Sequence, residues 1–402
     1  MKASRIISAA ALAALVILGA GCKKSQWRPV AGELIQFRAV SAPEKALDSK
    51  TVYSGEFFRV GEGENAPRFE RIDWVEGDMI TIAYLSHTQG TNFKIASDDY
   101  KITGVSDNGD QASYATIAPT GGPYGTEGEG WGGNGLTWQD NETHMFYACY
   151  PGVAKDSDYT FKMEGGEIVA TVPFDYPAVQ VVTPSATNAN VYLPDMTYAA
   201  MLYSQAGDGI SLPSGGDKVI NLSFSPHFTA FEFQVAAKEG DSFTLKSFTL
   251  SSASENIAGR FLWTLGDDGE DDGDDDDDDD DDDWYDAPVE GTVSKTVSVD
   301  FSSFNITLTD SQPITFTVFT RGEEDWKDLT ITFVIENGEG TTINRSLKLA
   351  DAGKNYLRFR HHLKHRIYGL QIPLGLELGT LWFETDGAGS YQPGNDPFDG
   401  EI

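Results

Sequence analysis

The sequence predicts an all-β protein built from two antiparallel β-sandwich domains, and three observations carry that prediction. Apolar and polar residues alternate over many short runs, as they do along a half-buried strand. Turn signals separate the runs, and Asp107-Asn108-Gly109 and Asn337-Gly338 are hairpin types that favour positive φ. Long amphipathic helices are absent, and strands do not alternate with helices as a parallel sheet requires.

At the N-terminus, Lys2 and Arg5 precede an apolar stretch from Ile6 to Leu18, and small residues lead to Cys22. The stretch is shorter than the roughly 20 residues of a spanning helix, so a cleaved leader is expected. Leu18-Gly19-Ala20-Gly21-Cys22 resembles bacterial lipoprotein signals, in which the cysteine is acylated and becomes the mature N-terminus, although Gly19 stands where leucine is commoner. Residues 1–21 are therefore read as the signal peptide, Cys22 as the lipidation site, and 22–32 as a polar tether. Several acyl chains on Cys22 would anchor the mature chain without crossing the bilayer.

A first strand is expected over Leu34–Val40, followed by a polar stretch through Lys50. From Phe69 onward the pattern is regular. Ile80, Ile82 and Tyr84 share one parity, and the aromatic run His144 to Tyr150 ends at Pro151. Residues 33–172 read as the N-terminal sandwich, and the proline-bearing stretch 173–195 reads as a linker. A short helical turn is expected over Tyr198–Tyr203.

In the second domain, 196–383, Ile220, Leu222 and Phe224 alternate, as do Phe231, Phe233 and Val235, then Ile314, Phe316 and Val318, then Leu329, Ile331, Phe333 and Ile335. The last strand region runs from Arg366 to Trp382. Residues 384–402 are rich in Gly, Asp and Pro and read as a flexible tail.

The formal net charge is −33, but Asp267 to Asp283 alone hold fifteen acidic residues. A chain this acidic, with no basic stripe, excludes nucleic acid as a partner. The run at 266–283 cannot be buried and reads as a disordered insertion in the second domain. Its carboxylates lack the ordered spacing and backbone carbonyls of a Ca²⁺ loop, so weak Ca²⁺ association is the most it would support, and no resident cofactor or metal site is expected. With Cys22 lipidated, only Cys149 remains, and no internal disulfide can form.

Catalysis finds no convergent residue set, and the chain is read as non-enzymatic. His361, His362 and His365 lie among Arg358, Arg360, Lys364 and Arg366, without carboxylates or thiols to complete a metal site. His87, His144 and His227 stand alone in strand-like surroundings. There is no nucleophile elbow, P-loop or dinucleotide fingerprint.

Four ordered stretches resemble the fimbrillin family, the lipoprotein-derived subunits of type V pili. They are Arg71 to Asp78 running into the Met79 strand; Leu136-Thr137-Trp138 followed by Phe146-Tyr147-Ala148 and Tyr150-Pro151; Tyr192 to Met196 before Leu222 to His227; and Ile367-Tyr368-Gly369-Leu370. The resemblance implies transthyretin-like sandwiches and assembly with other pilus subunits by strand exchange. A protease cutting after arginine would remove the lipidated segment and its first strand, here carrying Leu34, Ile35, Phe37 and Val40, and a strand of the next subunit would fill the groove. Family members often carry Thr-Arg after that strand, whereas Pro43-Glu44-Lys45-Ala46 stands here, which leaves Arg38 and Arg59 as the cleavage candidates. The last twenty residues do not read as a donor strand, which points to a tip, accessory or anchor-like subunit. Such a protein would sit on the outer membrane or fimbrium and meet a host or bacterial surface ligand. The alternative is a monomeric surface lipoprotein that binds glycan or Ca²⁺, with Trp131 and Trp284 stacking on sugars.

Overall fold

The computed structural model describes residues 34–41, 53–59, 68–72, 74–88, 92–107, 113–120, 134–139, 143–164, 167–198, 200–203, 210–211, 219–265, 284–322, 328–349, 364–375 and 382–383. They form strands throughout, with single 3-10 turns at Met196–Tyr198 and Ser302–Phe304. The all-β sandwich expectation holds.

The first sheet has nine strands. Its main path runs Val219–Ser223, Gln36–Ser41, Ser113–Pro119, Asn92–Asp107, Met79–Thr88, Thr143–Tyr150, Met201–Tyr203 and Ser225–Pro226, and Ile210–Ser211 also pairs with Thr143–Tyr150. Asn92–Asp107 belongs to two layers: residues from Asn92 to Lys101 pair with Met79–Thr88, while Tyr100 to Asp107 pair with Ser113–Pro119. A register shift between Ile102 and Gly104 marks the change, as a bulge that bends a strand does. The sheet therefore folds over on itself. The proof lies across the fold: Phe37 and Phe146 sit four strands apart on the path, about 19 Å in a flat sheet, yet their ring centroids are 5.3 Å apart. Ile80, Ile82, Tyr84, Tyr100, Ile102 and Leu222 fill the space between the layers.

A four-stranded sheet covers the outer side of one layer, in the order Trp284–Pro288, Gly259–Leu265, Glu167–Tyr176, Thr160–Glu164. Phe161 and Ala170 from this sheet pack on Ala83 and Tyr147. Two of its strands come from the C-terminal half of the chain.

The C-terminal sandwich joins two six-stranded sheets. One runs Val179–Gln180, Thr296–Asp300, Ser242–Ser252, Leu329–Glu336, Thr342–Lys348, with Thr307–Thr309 beside Ser242–Ser252. The other runs Val182–Pro184, Val191–Pro194, Ile314–Arg321, Phe228–Ala237, Lys364–Ile372, Trp382–Phe383. Phe233 meets Phe248 at 4.7 Å, Phe248 meets Phe316 at 4.9 Å, and the alternating residues Leu329, Ile331, Phe333 and Ile335 are all buried. Burial of this kind contributes about 1.5–3 kcal/mol per large side chain.

Three boundaries differ from expectation. Residues 173–195 are not a linker: Pro173 lies inside Glu167–Tyr176, opposite Leu262, and short strands follow at Val179–Gln180, Val182–Pro184 and Val191–Pro194. Proline density misled here, because a strand accepts proline wherever the missing N–H is not needed by a neighbour. Residues 201–203 and 219–226, expected in the second domain, complete the first sheet, and the expected helical turn at Tyr198–Tyr203 is a 3-10 turn ending at Tyr198 followed by a strand. The aspartate run connects Gly259–Leu265 to Trp284–Pro288, and those strands pack with the N-terminal sandwich. The run itself lies outside the described residues, as do the tail and residues 351–363.

Strands pair across both expected hairpin positions: Asp107 with Ser113 at the first, whose turn residues 108–112 lie outside the described residues, and Glu336 with Thr342 at the second. The second turn is longer than Asn337-Gly338 implies: Asn337 Oδ1 accepts from the N–H groups of Glu339 and Thr341, and the left-handed residue is Gly340, at φ 79°, rather than Asn337 or Gly338.

Candidate functional site: the groove around the first strand

The first strand spans Gln36–Ser41, with Leu34 just ahead of it in an isolated bridge to Thr137. It is an interior strand. On one side it pairs antiparallel with Ser113–Pro119, Arg38 opposite Thr116 and Ser41 opposite Ser113. On the other it pairs parallel with Val219–Ser223, Phe37 opposite Ile220 and Ala39 opposite Leu222. Val219–Ser223 ends the sheet path, so the first strand is what joins it to the sheet.

The side chains facing the core are Ile35, Phe37 and Ala39, all buried. Phe37 lies edge-on to Tyr100 at 5.4 Å and to Phe146 at 5.3 Å, wedged between the two layers of the folded sheet. Of the residues assigned to the exchanged strand, Ile35 and Phe37 occupy this face. Leu34 does not: it is 52% exposed, because strand alternation puts it on the parity opposite Ile35. Val40 pairs with Tyr114 and Ser223. Ala39 went unassigned as a core contact, although alternation from Phe37 marks it.

The lead into the strand is covered by residues 134–139. The N–H of Ile35 donates to the carbonyl of Leu136 at 2.9 Å, and the N–H of Leu136 donates to Tyr100 Oη at 2.6 Å. The N–H of Gly135 donates to Asp98 Oδ2 at 2.7 Å, while Asp98 Oδ1 accepts from the N–H of Asp99. Burial raises the pKa of the Tyr100 phenol well above its ordinary value, partly offset by the bond from Leu136 and reinforced by the nearby Asp98. Trp138 is buried edge-on to His144 at 5.0 Å, and the N–H of Gln139 donates to His144 Nε2. His144 thus serves packing and hydrogen bonding, and His227 packs on Trp263 at 4.4 Å.

Arg38 is half-buried within the ladder, opposite Asn221 and Thr116. Arg59 ends the strand Tyr53–Arg59 and pairs with Arg68 in a two-stranded sheet with Arg68–Ile72. Cys22 and Trp131 lie outside the described residues. Trp284 begins a strand opposite Leu265. Among the described residues no cluster of three or more His, Cys, Asp or Glu is arranged to hold a metal. Cys149 is buried against the outer sheet, and burial raises its thiol pKa well above the usual range, so it stays protonated.

No family model matches the chain, and no curated protein matches it. Among solved structures it is similar to a candidate cell-adhesion protein from Bacteroides uniformis, at 12% identity and a TM-score of 0.41, covering 87% of this chain and 95% of that one. A candidate cell-adhesion protein from Bacteroides ovatus shows 11% identity and a TM-score of 0.40, with 89% and 100% covered. The tip fimbrial protein Mfa3 from Porphyromonas gingivalis, with C-terminal truncation, shows 8% identity and a TM-score of 0.29, with 84% and 95% covered.

Proposed function

We propose that this chain is a surface lipoprotein that acts, without catalysis, as a structural and adhesive subunit of a pilus, joined to its neighbours by exchange of the first strand. The observation that carries this reading is the place of Gln36–Ser41: it is interior to the sheet, close to the N-terminus, and lodges Phe37 between two layers. Withdrawing it would leave two facing rows of unpaired backbone groups above an apolar slot. An extended strand with apolar residues at alternate positions supplies both needs.

The lipoprotein pattern ending at Cys22 supports attachment to the outer membrane before exchange. Of the two cleavage candidates, Arg59 suits the reading better. A cut there releases the whole first strand, whereas Arg38 is held in the ladder on both sides and a cut there would free only part of the strand. Lys364–Ile372 is committed to its own sheet between Phe228–Ala237 and Trp382–Phe383, which favours a tip, accessory or anchor-like position over a repeating shaft subunit.

The test is to cut the purified chain with an arginine-specific protease, identify the new N-terminus by mass, and offer a fluorescent peptide spanning residues 34–41. Stable uptake of the peptide by the cut chain, and none by the uncut chain, are expected. A cleaved chain that loses its first strand yet takes up no peptide would sink the proposal.

A further inference from the structure

The exposed lead of the first strand is held by more than its ladder. Leu136 is a two-sided connector: its carbonyl accepts from Ile35, and its N–H donates to Tyr100 Oη. Gly135 beside it donates to Asp98 Oδ2, and Thr137 bridges Leu34. Asp98 and Tyr100 are both buried and stand on Asn92–Asp107, the strand that passes between the layers. The backbone here allows little else. Gly135 has φ +84°, and a Cβ on it would lie 2.5 Å from Pro119 Cγ and 3.1 Å from Leu34 Cδ2. Downstream, buried Trp138 and the bond from Gln139 to His144 Nε2 fix the segment, and Lys94 Nζ donates to Gln139 Oε1 at 2.9 Å.

We propose that residues 134–139 are a latch on the N-terminal end of the first strand, and that Asp98 and Tyr100 are the positioning residues that keep it shut. The ring of Tyr100 also meets Phe37 edge-on, but the Tyr100 hydroxyl and the Asp98 carboxylate act on the latch through the backbone of Gly135 and Leu136. The latched end is the one nearer Cys22. The opposite end, where Val40 and Ser41 meet Tyr114, Ser113 and Ser223, is held by the ladder. The strand therefore leaves its groove from Ser41 toward Ile35, and the latch opens last. This rests on the reading of Gln36–Ser41 as the exchanged strand.

Amide hydrogen exchange on the full chain tests it. In the unaltered protein, Ile35 and Phe37 are expected to exchange more slowly than Val40 and Ser41. Tyr100→Phe removes the acceptor for Leu136, and Asp98→Ala removes both acceptors. Each is expected to speed exchange across Ile35–Ala39 by about tenfold, the effect of losing one buried hydrogen bond, with Ile314–Arg321 unchanged. Asp98→Asn keeps one acceptor oxygen and falls between. Unchanged exchange at Ile35–Ala39, or an equal rise throughout Met79–Thr88 and Thr143–Tyr150, would overturn the latch. The gradient within the unaltered chain is a second measurement that no misfolding variant can spoil; a flat or reversed gradient refutes the order of release. Peptide uptake reads exchange separately: failed uptake with a latch effect sinks the exchange reading alone, and normal uptake without one sinks the latch alone.

Discussion

Phe37 shows how much a single side chain decides. Its parity with Ile35 and Ala39 is legible in the sequence, and so is its apolar character. That it touches both Tyr100 and Phe146 is not, because those contacts exist only once the sheet folds over at Ile102–Gly104. Phe37→Ala is expected to cost about 3–5 kcal/mol, since the rigid layers on both sides cannot collapse into the space; denaturant unfolding of the N-terminal sandwich measures it. Arg321 is a second case. Its guanidinium donates to Asp286 at 2.6 Å and sits 4.8 Å over the ring of Phe261, where a strand of the C-terminal sandwich meets the four-stranded sheet. Burial lowers its pKa and raises that of Asp286, while each charge offsets the cost to the other. Arg321→Ala leaves a partly buried carboxylate without its partner and is expected to cost about 3 kcal/mol, the low end for breaking a buried pair, whereas the double change Arg321→Ala with Asp286→Ala is expected to cost less than the sum of the two, in the same unfolding assay.

Among the elements, the hairpin of Gly259–Leu265 and Trp284–Pro288 is the most instructive. Its alternation marks strands, but the inward face of a strand looks the same whichever sheet it joins. Leu265 and Trp284 pair directly, so residues 266–283 leave and return at one place in the ladder. Replacing the run with a short turn is therefore expected to keep the hairpin and to stabilise it by about 1 kcal/mol through loop-closure entropy, read as a small rise in the thermal midpoint. A loss of folding would mean that the aspartates have a structural role. Arg260, donating to Asp156, Asp158 and Asp175, ties the same hairpin to the body, and these carboxylates hold its pKa above the ordinary value against the opposing effect of burial. None of these three partners is marked by spacing in the sequence, because they converge from one loop, residues 151–159, and one strand, Glu167–Tyr176.

Across the whole molecule, the N-terminal sandwich holds more buried phenols than the C-terminal one, where burial also raises Tyr192. Burial foremost raises the pKa values of Tyr100, Tyr150, Tyr159 and Tyr176 above the ordinary 10.0, and all four pack in or against the N-terminal sandwich. A raised folded value means stability that is fully present below the unfolded tyrosine value and lost as pH rises toward the folded one. The N-terminal sandwich is thus expected to unfold first in alkali above about pH 10, followed by tyrosinate absorbance together with hydrogen exchange in each sandwich; simultaneous unfolding would contradict this. The sequence by itself determined the class, the faces of most strands and the positions at which two hairpin pairs turn, since alternation and turn chemistry are local properties of a few neighbouring residues. Only the tertiary structure decided that Gln36–Ser41 is interior, that its parallel partner is Val219–Ser223, that strands near residues 259–288 serve the other sandwich, and that Leu136 ties the first strand to Tyr100. The reason is physical: strand pairing is set by ladders between distant segments and by the shape of a shared core, and any alternating strand satisfies those conditions equally well on paper.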